Sequence, residues 1–165
     1  MAPSTGTEAA MRQWAARPPL VLTEHVSRKD IVRFAVATGE TDEIHLDAEA
    51  ARRRGFRDVV APPLFYVCLR TSVFNLVPRD QLHEEGTPLR DAPPLQFSQA
   101  MAGETYAELS APFVAGDVVT CSRRVETTWQ KEGRSGTLHL VRFEYRYSDP
   151  AGNPFAVEHF TRIFR

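Results

Sequence analysis

Leu64-Phe65-Tyr66-Val67-Cys68-Leu69-Arg70-Thr71-Ser72-Val73-Phe74-Asn75-Leu76-Val77 stands between Pro62-Pro63 and Pro78, with Arg70 as its one charged residue. Proline is tolerated in the first turn of a helix, where its missing N–H has no partner to lose, and it stops a helix when it arrives past the end. The pattern therefore predicts a helix over 64–77, apolar enough to be buried on most sides. On its C-terminal side the signal changes. Residues 78–94 are rich in turn formers and predict a loop, a long one for a single domain. From Leu95 onward strands are predicted: a segment around Tyr106–Leu109, then Val118–Trp129 after the turn Phe113–Asp117, then Thr137–Tyr147 and Phe155–Phe164. The third of these alternates, with His139, Val141, Phe143, Tyr145 and Tyr147 on one face and Arg142, Glu144 and Arg146 on the other. Asp149-Pro150-Ala151-Gly152-Asn153 predicts the turn between the last two.

On the N-terminal side, Leu20–Val26 reads as a strand. Ser27-Arg28-Lys29-Asp30 resembles a capping box and predicts a helix start. Ile31, Phe34, Ala35 and Thr38 then fall on one helix face, and Gly39 is placed to end it. Asp47 predicts the N-cap of a second, short helix ending before Gly55. Between the two lies the acidic loop Gly39-Glu40-Thr41-Asp42-Glu43-Ile44-His45. Residues 1–18 are small and polar apart from Trp14 and read as a tail packing loosely through Trp14, leaving 19–165 as one domain. Segregated helices and antiparallel strands make the class α+β. One long buried helix wrapped by an antiparallel sheet is the hot-dog arrangement.

Composition narrows the possible partners. The chain has 165 residues, 20 Lys+Arg against 21 Asp+Glu, and a net charge of −1. That balance gives no basic face for nucleic acid. No apolar run approaches the roughly 18 residues that span a bilayer, and the N-terminus has no apolar signal core. Cys68 and Cys121, far apart and outside any CxxC pair, are expected as reduced core thiols. A cytoplasmic protein is expected. His25, His83 and His159 lack metal-ligand spacing, so neither metal nor cofactor is expected.

Several stretches together resemble one family. Phe34-Ala35-Val36-Ala37-Thr38-Gly39-Glu40-Thr41-Asp42-Glu43-Ile44-His45 resembles the hydratase motif of MaoC-like (R)-specific enoyl-CoA hydratases. Gly55–Pro63 resembles the strand leading into the hot-dog helix, and Pro112–Asp117 resembles that family's P-x-x-x-G-D turn. Lys131–Gly136 resembles the fatty-acid-synthase-type-I-like dehydratase subgroup, also called the MaoC dehydratase N-terminal domain. The resemblance spans about residues 20–165. It implies a hot-dog fold and acyl-thioester substrates, carried on coenzyme A or an acyl carrier protein. It also implies a hydro-lyase reaction, the interconversion of 2-enoyl and 3-hydroxyacyl thioesters in fatty-acid, polyketide or related acyl metabolism. The implied catalytic pair is Glu40 and His45.

The chemistry asks for that pair on its own terms. Hydration needs water activated at Cβ and a proton delivered at Cα, tasks a carboxylate and an imidazole can share. The thioester oxygen needs N–H donors as enolate charge develops, and a helix N-terminus supplies them. Asp42, Pro63, Leu64 and Phe65 are the candidate oxyanion and substrate-binding positions. Leu64 and Phe65 are expected to offer free N–H groups, whereas Pro63 has none and stands where the family tends to have Gly. Arg52, Arg53 and Arg54 either complement a helix end or contact the phosphates of coenzyme A or a carrier arm.

Three functions compete. The first is the hydratase or dehydratase itself. The second is a non-catalytic hot-dog subunit that shapes the acyl pocket for a MaoC-like partner, favoured by Pro63 and by Asp42 and Glu43 in place of Asn and Pro. The third and weakest is an acyl-CoA thioesterase, since the fold hosts that chemistry too. Sheet edges are normally paired, so a homodimer or a heterodimer with a MaoC-like hot-dog chain is expected.

Overall fold

The computed structural model describes residues 5–134 and 136–165. Its frame is one antiparallel sheet of β1 (Leu20–His25), β2 (Ala100–Leu109), β3 (Val118–Gly133), β4 (Gly136–Ser148) and β5 (Pro154–Phe164), in the order β1-β3-β4-β5-β2. Period-two alternation sorts the faces as the sequence predicts. Val141, Phe143, Tyr145 and Tyr147 of β4 are buried on the inner face, in register with Cys121 of β3 and Ala156 of β5 where Tyr147 pairs with both. Arg142, Glu144 and Arg146 take the outer face.

The predicted central helix lies on the inner face, in three geometries: a 3₁₀ turn at Pro63–Phe65, helix at Tyr66–Arg70, and a wider π turn at Thr71–Asn75. The hydroxyls of Thr71 and Ser72 donate to the carbonyls of Val67 (3.0 Å) and Leu69 (3.3 Å). Such back-bonding competes with the ordinary ladder and accompanies the widening. The helix stops at Asn75, short of the predicted Val77. It also buries one face, not most sides. Phe65, Tyr66, Leu69 and Phe74 are buried, with the Tyr66 ring 6.5 Å from Tyr147 and the Phe74 ring 5.4 Å from Tyr145. Each such ring or aliphatic side chain contributes about 2–3 kcal/mol. Leu64 and Leu76, by contrast, are 58% and 74% exposed, because a single sheet covers only one side.

Two buried ion pairs fasten the inner layer. Arg70 meets the fully buried Glu158 of β5, which also accepts from the Tyr147 hydroxyl at 3.4 Å. Burial pushes the Glu158 carboxyl up to about 7. Asp91 meets Arg123 of β3, both almost wholly buried. Asp91 belongs to the predicted loop, which is packed down rather than loose. Thr87 is also buried, Leu95 and Phe97 pack on the core, and strand β2 begins only at Ala100.

Residues 1–18, expected as a tail, include the helix α1 (Thr5–Ala15). Its Trp14 is 7% exposed and meets the Phe143 ring edge-on at 6.3 Å. The partner is 129 positions away, so the packing of Trp14 could be expected but not its partner. No helix among the described residues is long and apolar enough to cross a membrane.

Candidate active site

Helix α2 (Arg28–Thr38) begins as its sequence dictates: the Asp30 N–H donates to Ser27 Oγ at 3.1 Å, and the Ser27 hydroxyl donates back to the Asp30 carboxylate at 2.6 Å. Ile31 and Ala35 are fully buried; Thr38, expected on that face, is exposed and donates its hydroxyl to the Phe34 carbonyl at 2.9 Å. Gly39 ends the helix with φ +74°, and the N–H groups of Gly39 and Glu40 return to the carbonyls of Val36 and Ala35. That left-handed cap turns the chain and sets Glu40 at the start of the loop, partly buried. Among the described residues no hydrogen bond or ion pair engages its carboxylate.

Asp42 caps the following 3₁₀ turn, Glu43–His45, by accepting from the Ile44 N–H at 3.2 Å. That bond, and then Arg54, holds its carboxyl below the usual range. An ionised carboxylate has no proton to donate, so Asp42 serves the loop and not an oxyanion. His45 is 8% exposed, with Nδ1 2.7 Å from the Val60 carbonyl. A carbonyl only accepts, so Nδ1 carries the proton and Nε2 is the acceptor of the neutral ring. The Val60 N–H donates in turn to the Ile44 carbonyl at 2.9 Å. This two-bond clamp fixes the loop to residues 59–61, which are themselves bonded to Phe113 and Ala115. Asp117 accepts from the Val114 N–H at 2.6 Å and Arg57 reaches the same turn. The Val60 carbonyl and Arg57 escape a reading of the sequence, because no residue pattern announces a backbone acceptor or a contact sixty positions distant.

Beyond Ala61 the chain enters the helix. The Phe65 N–H donates to the Pro62 carbonyl at 2.9 Å, so it is spent on the turn and not free as expected. Pro63 has no N–H, and Leu64 is left as the one open donor of the first turn. The three arginines close helix α3 (Ala48–Arg53), Arg52 and Arg53 in its last turn and Arg54 at its cap, each with an acid nearby: Arg52 with Glu49, Arg53 with Glu43 at 3.8 Å, Arg54 with Asp42 at 2.8 Å.

Two cavities flank this region. A groove of about 510 Å³ runs between β1, α2 and the central helix, with Phe34, Phe65, Val67 and Leu76 among its walls and Asp30 and Arg33 at its rim. A smaller one, about 230 Å³, surrounds Pro62-Pro63 and Leu109–Phe113. Neither is lined by Glu40 or His45. The candidate pair therefore lies outside both cavities. On the outer face, Glu126, Glu144 and His159 converge within 4.8 Å. Arg124 and Arg146 both grip Glu144, and their hydrogen bonds hold its carboxyl down at about 2. The site is thus neutralised by arginine and ill suited to a cation.

Comparison with known proteins agrees with the architecture. The family model for the FAS1-like dehydratase domain region matches residues 18–158. A UPF0336 protein of Clavibacter michiganensis is 36% identical over 100 residues, which is 61% of this chain and 60% of that relative's length. Among solved structures, the ChsH1-ChsH2 complex from Mycobacterium tuberculosis superposes with a TM-score of 0.71 at 17% identity, over 97% of this chain and 96% of that one. The C-terminally truncated HadBC (3R-hydroxyacyl-ACP dehydratase) complex from the same organism gives 0.65 at 16% identity, over 88% and 95%. At those identities the likeness is one of fold.

Proposed function

The chain belongs to the FAS1-like dehydratase domain region, and on that premise we propose that it acts on acyl thioesters, interconverting 2-enoyl and 3-hydroxyacyl forms, with Glu40 and His45 as the acid–base pair. The observation that carries this reading is the orientation of His45: its Nδ1 is committed to the Val60 carbonyl, and Nε2 is left to work. In hydration, Nε2 and the unpartnered Glu40 carboxylate hold the water, one of them taking its proton as oxygen bonds to Cβ. The proton then reaches Cα, and the Leu64 N–H supports the thioester oxygen as charge collects there. The test is hydration of crotonyl-CoA by the purified protein. Glu40→Gln and His45→Ala should each lower kcat by about 10²–10⁴-fold; wild-type rates in both would end the assignment.

A second reading has its own support. One open N–H at the helix start is a thin oxyanion site, and Glu40 and His45 lie outside both cavities. Those features suit a subunit completed by a second hot-dog chain, and the two solved structures named above, each with a chain of this fold, are complexes. This reading expects no turnover by the chain alone and turnover on adding a MaoC-like partner. Mutating Glu40 and His45 within that complex then tells which chain carries the chemistry.

A further inference from the structure

A separate cavity of about 240 Å³ lies at the Leu20 end of β1, about 17 Å along the strand from the end that leads toward the His45 loop. Its walls come from the end of α1, the start of β1, the strand β3 and the loop before Asp91. Arg17, Arg90, Arg123 and Arg124 all line it, with no acidic residue among the lining. Arg124 is engaged by Glu144. Among the described residues, the carboxylate at hand for the other three guanidinium groups is Asp91, which pairs with Arg123 and lies 3.8 Å from Arg90 Nε.

Some of the donors here are used. Arg90 donates to the Phe74 carbonyl at 2.6 Å, and Arg17 donates to the carbonyls of Arg90 (2.7 Å) and Trp14 (3.0 Å). Others are not. Nε1 of Trp14 and the Nε atoms of Arg90 and Arg123 are buried with no acceptor among the described residues. Trp14 and Arg123 are each 7% exposed, so solvent does not readily make up the difference. A buried donor without a partner costs about 1–3 kcal/mol, and more when it is charged. Burial, and after it the neighbouring Arg123 charge, also pushes the Arg17 and Arg90 guanidinium groups down from their ordinary range, the mark of cations held out of water. Donors only, excess positive charge and apolar walls at Leu20 and Val125 describe one kind of occupant.

We propose that this cavity binds a small phosphate-bearing ligand, its oxygens accepting from Trp14, Arg90 and Arg123, with Arg17 at the mouth and the organic group of a monoester against Leu20 and Val125. The full chain carrying Trp129→Phe, so that fluorescence reports Trp14, would be titrated at constant ionic strength with inorganic phosphate, phenyl phosphate and phenol. Saturable quenching or enhancement is expected with both phosphates, tighter for phenyl phosphate, and none with phenol. Arg17→Gln, at an exposed position, should weaken binding by about 10-fold with an unchanged circular dichroism spectrum, and Trp14→Phe, titrated by calorimetry because its fluorescent reporter is gone, should weaken it while keeping an aromatic ring. Phosphate alone binding assigns a free-anion source; phenyl phosphate binding more tightly assigns a monoester. A response to phenol equal to that of phenyl phosphate would overturn the proposal. So would the absence of saturable binding, or affinity unchanged in both variants.

Discussion

Two glutamates on neighbouring strands show how placement alone separates identical side chains. Glu144 accepts from Arg124 and Arg146 and is held at about 2, whereas Glu158 is buried with Arg70 and lifted to about 7, against an ordinary 4.5 for both. The consequences for stability run in opposite directions. The folded chain gives up the Glu144 proton more readily than the unfolded chain, so that contribution is complete above about pH 4.5 and is lost as pH falls toward 2. Glu158 binds its proton more tightly when folded, so its contribution is complete below about 4.5 and is lost as pH rises toward 7. Melting temperatures across pH should show it: Glu144→Gln removes part of the acid-limb slope, on the order of 1–2 kcal/mol after solvent screening of the exposed arginines. Glu158→Gln should flatten the slope between about 4.5 and 7; an unchanged profile in either variant would contradict its environment. Neither fate was legible in sequence. Alternation placed Glu144 on the outer face correctly, but its arginines come from two strands and Arg70 lies far from Glu158. His45 is similar. Its position on the loop after α2 could be read; the Val60 carbonyl that orients it could not.

Local signals were legible where the chain talks to itself. Ser27 and Gly39 bracket α2 as expected, because a cap bonds within three or four residues. Gly39 offers a clean test. At φ +74° any Cβ is disfavoured, yet nothing lies within 4 Å of where one would sit. Gly39→Ala should therefore cost about 1–2 kcal/mol from the backbone alone, without a clash. Melting should fall by several degrees, and because Glu40 is the next residue, any turnover of the protein should fall with it. A fully retained melting temperature would mean the cap relaxes. Elements that depend on distant partners were not legible. Trp14 joins α1 to the inner layer through residues such as Phe143, with Met11 and Ala15 also packed on the core, and the central helix ends early where the Thr71 and Ser72 hydroxyls bond back to the carbonyls of the preceding turn.

For the whole molecule, the α+β hot-dog architecture followed from the order of elements, three helix runs and five strand runs, while the family came from the motif stretches that resemble it. Completion of the surface is another matter. Strands β1 and β2 are both sheet edges, and Met101, Tyr106 and Leu109 stand exposed on β2 while Val36, Leu64 and Leu76 stand exposed beside the groove. Sedimentation equilibrium should give twice the chain mass for the protein alone, or the summed mass of the two chains once a second hot-dog chain is added. A stable monomer in both mixtures would rule this out.

The strand order also dictates when each part can form. Strands β3, β4 and β5 pair across short turns, whereas Leu20 must find Arg123 roughly a hundred positions later, closing a loop that contains every candidate catalytic residue. The meander can therefore nucleate unaided, and the segment carrying Glu40 and His45 docks onto a frame already built. What docks last opens first. Amide exchange should be slowest in β3–β5 and should release residues 39–63 at a lower free energy than global unfolding. Uniform exchange across both regions would show instead that the molecule opens as one cooperative unit.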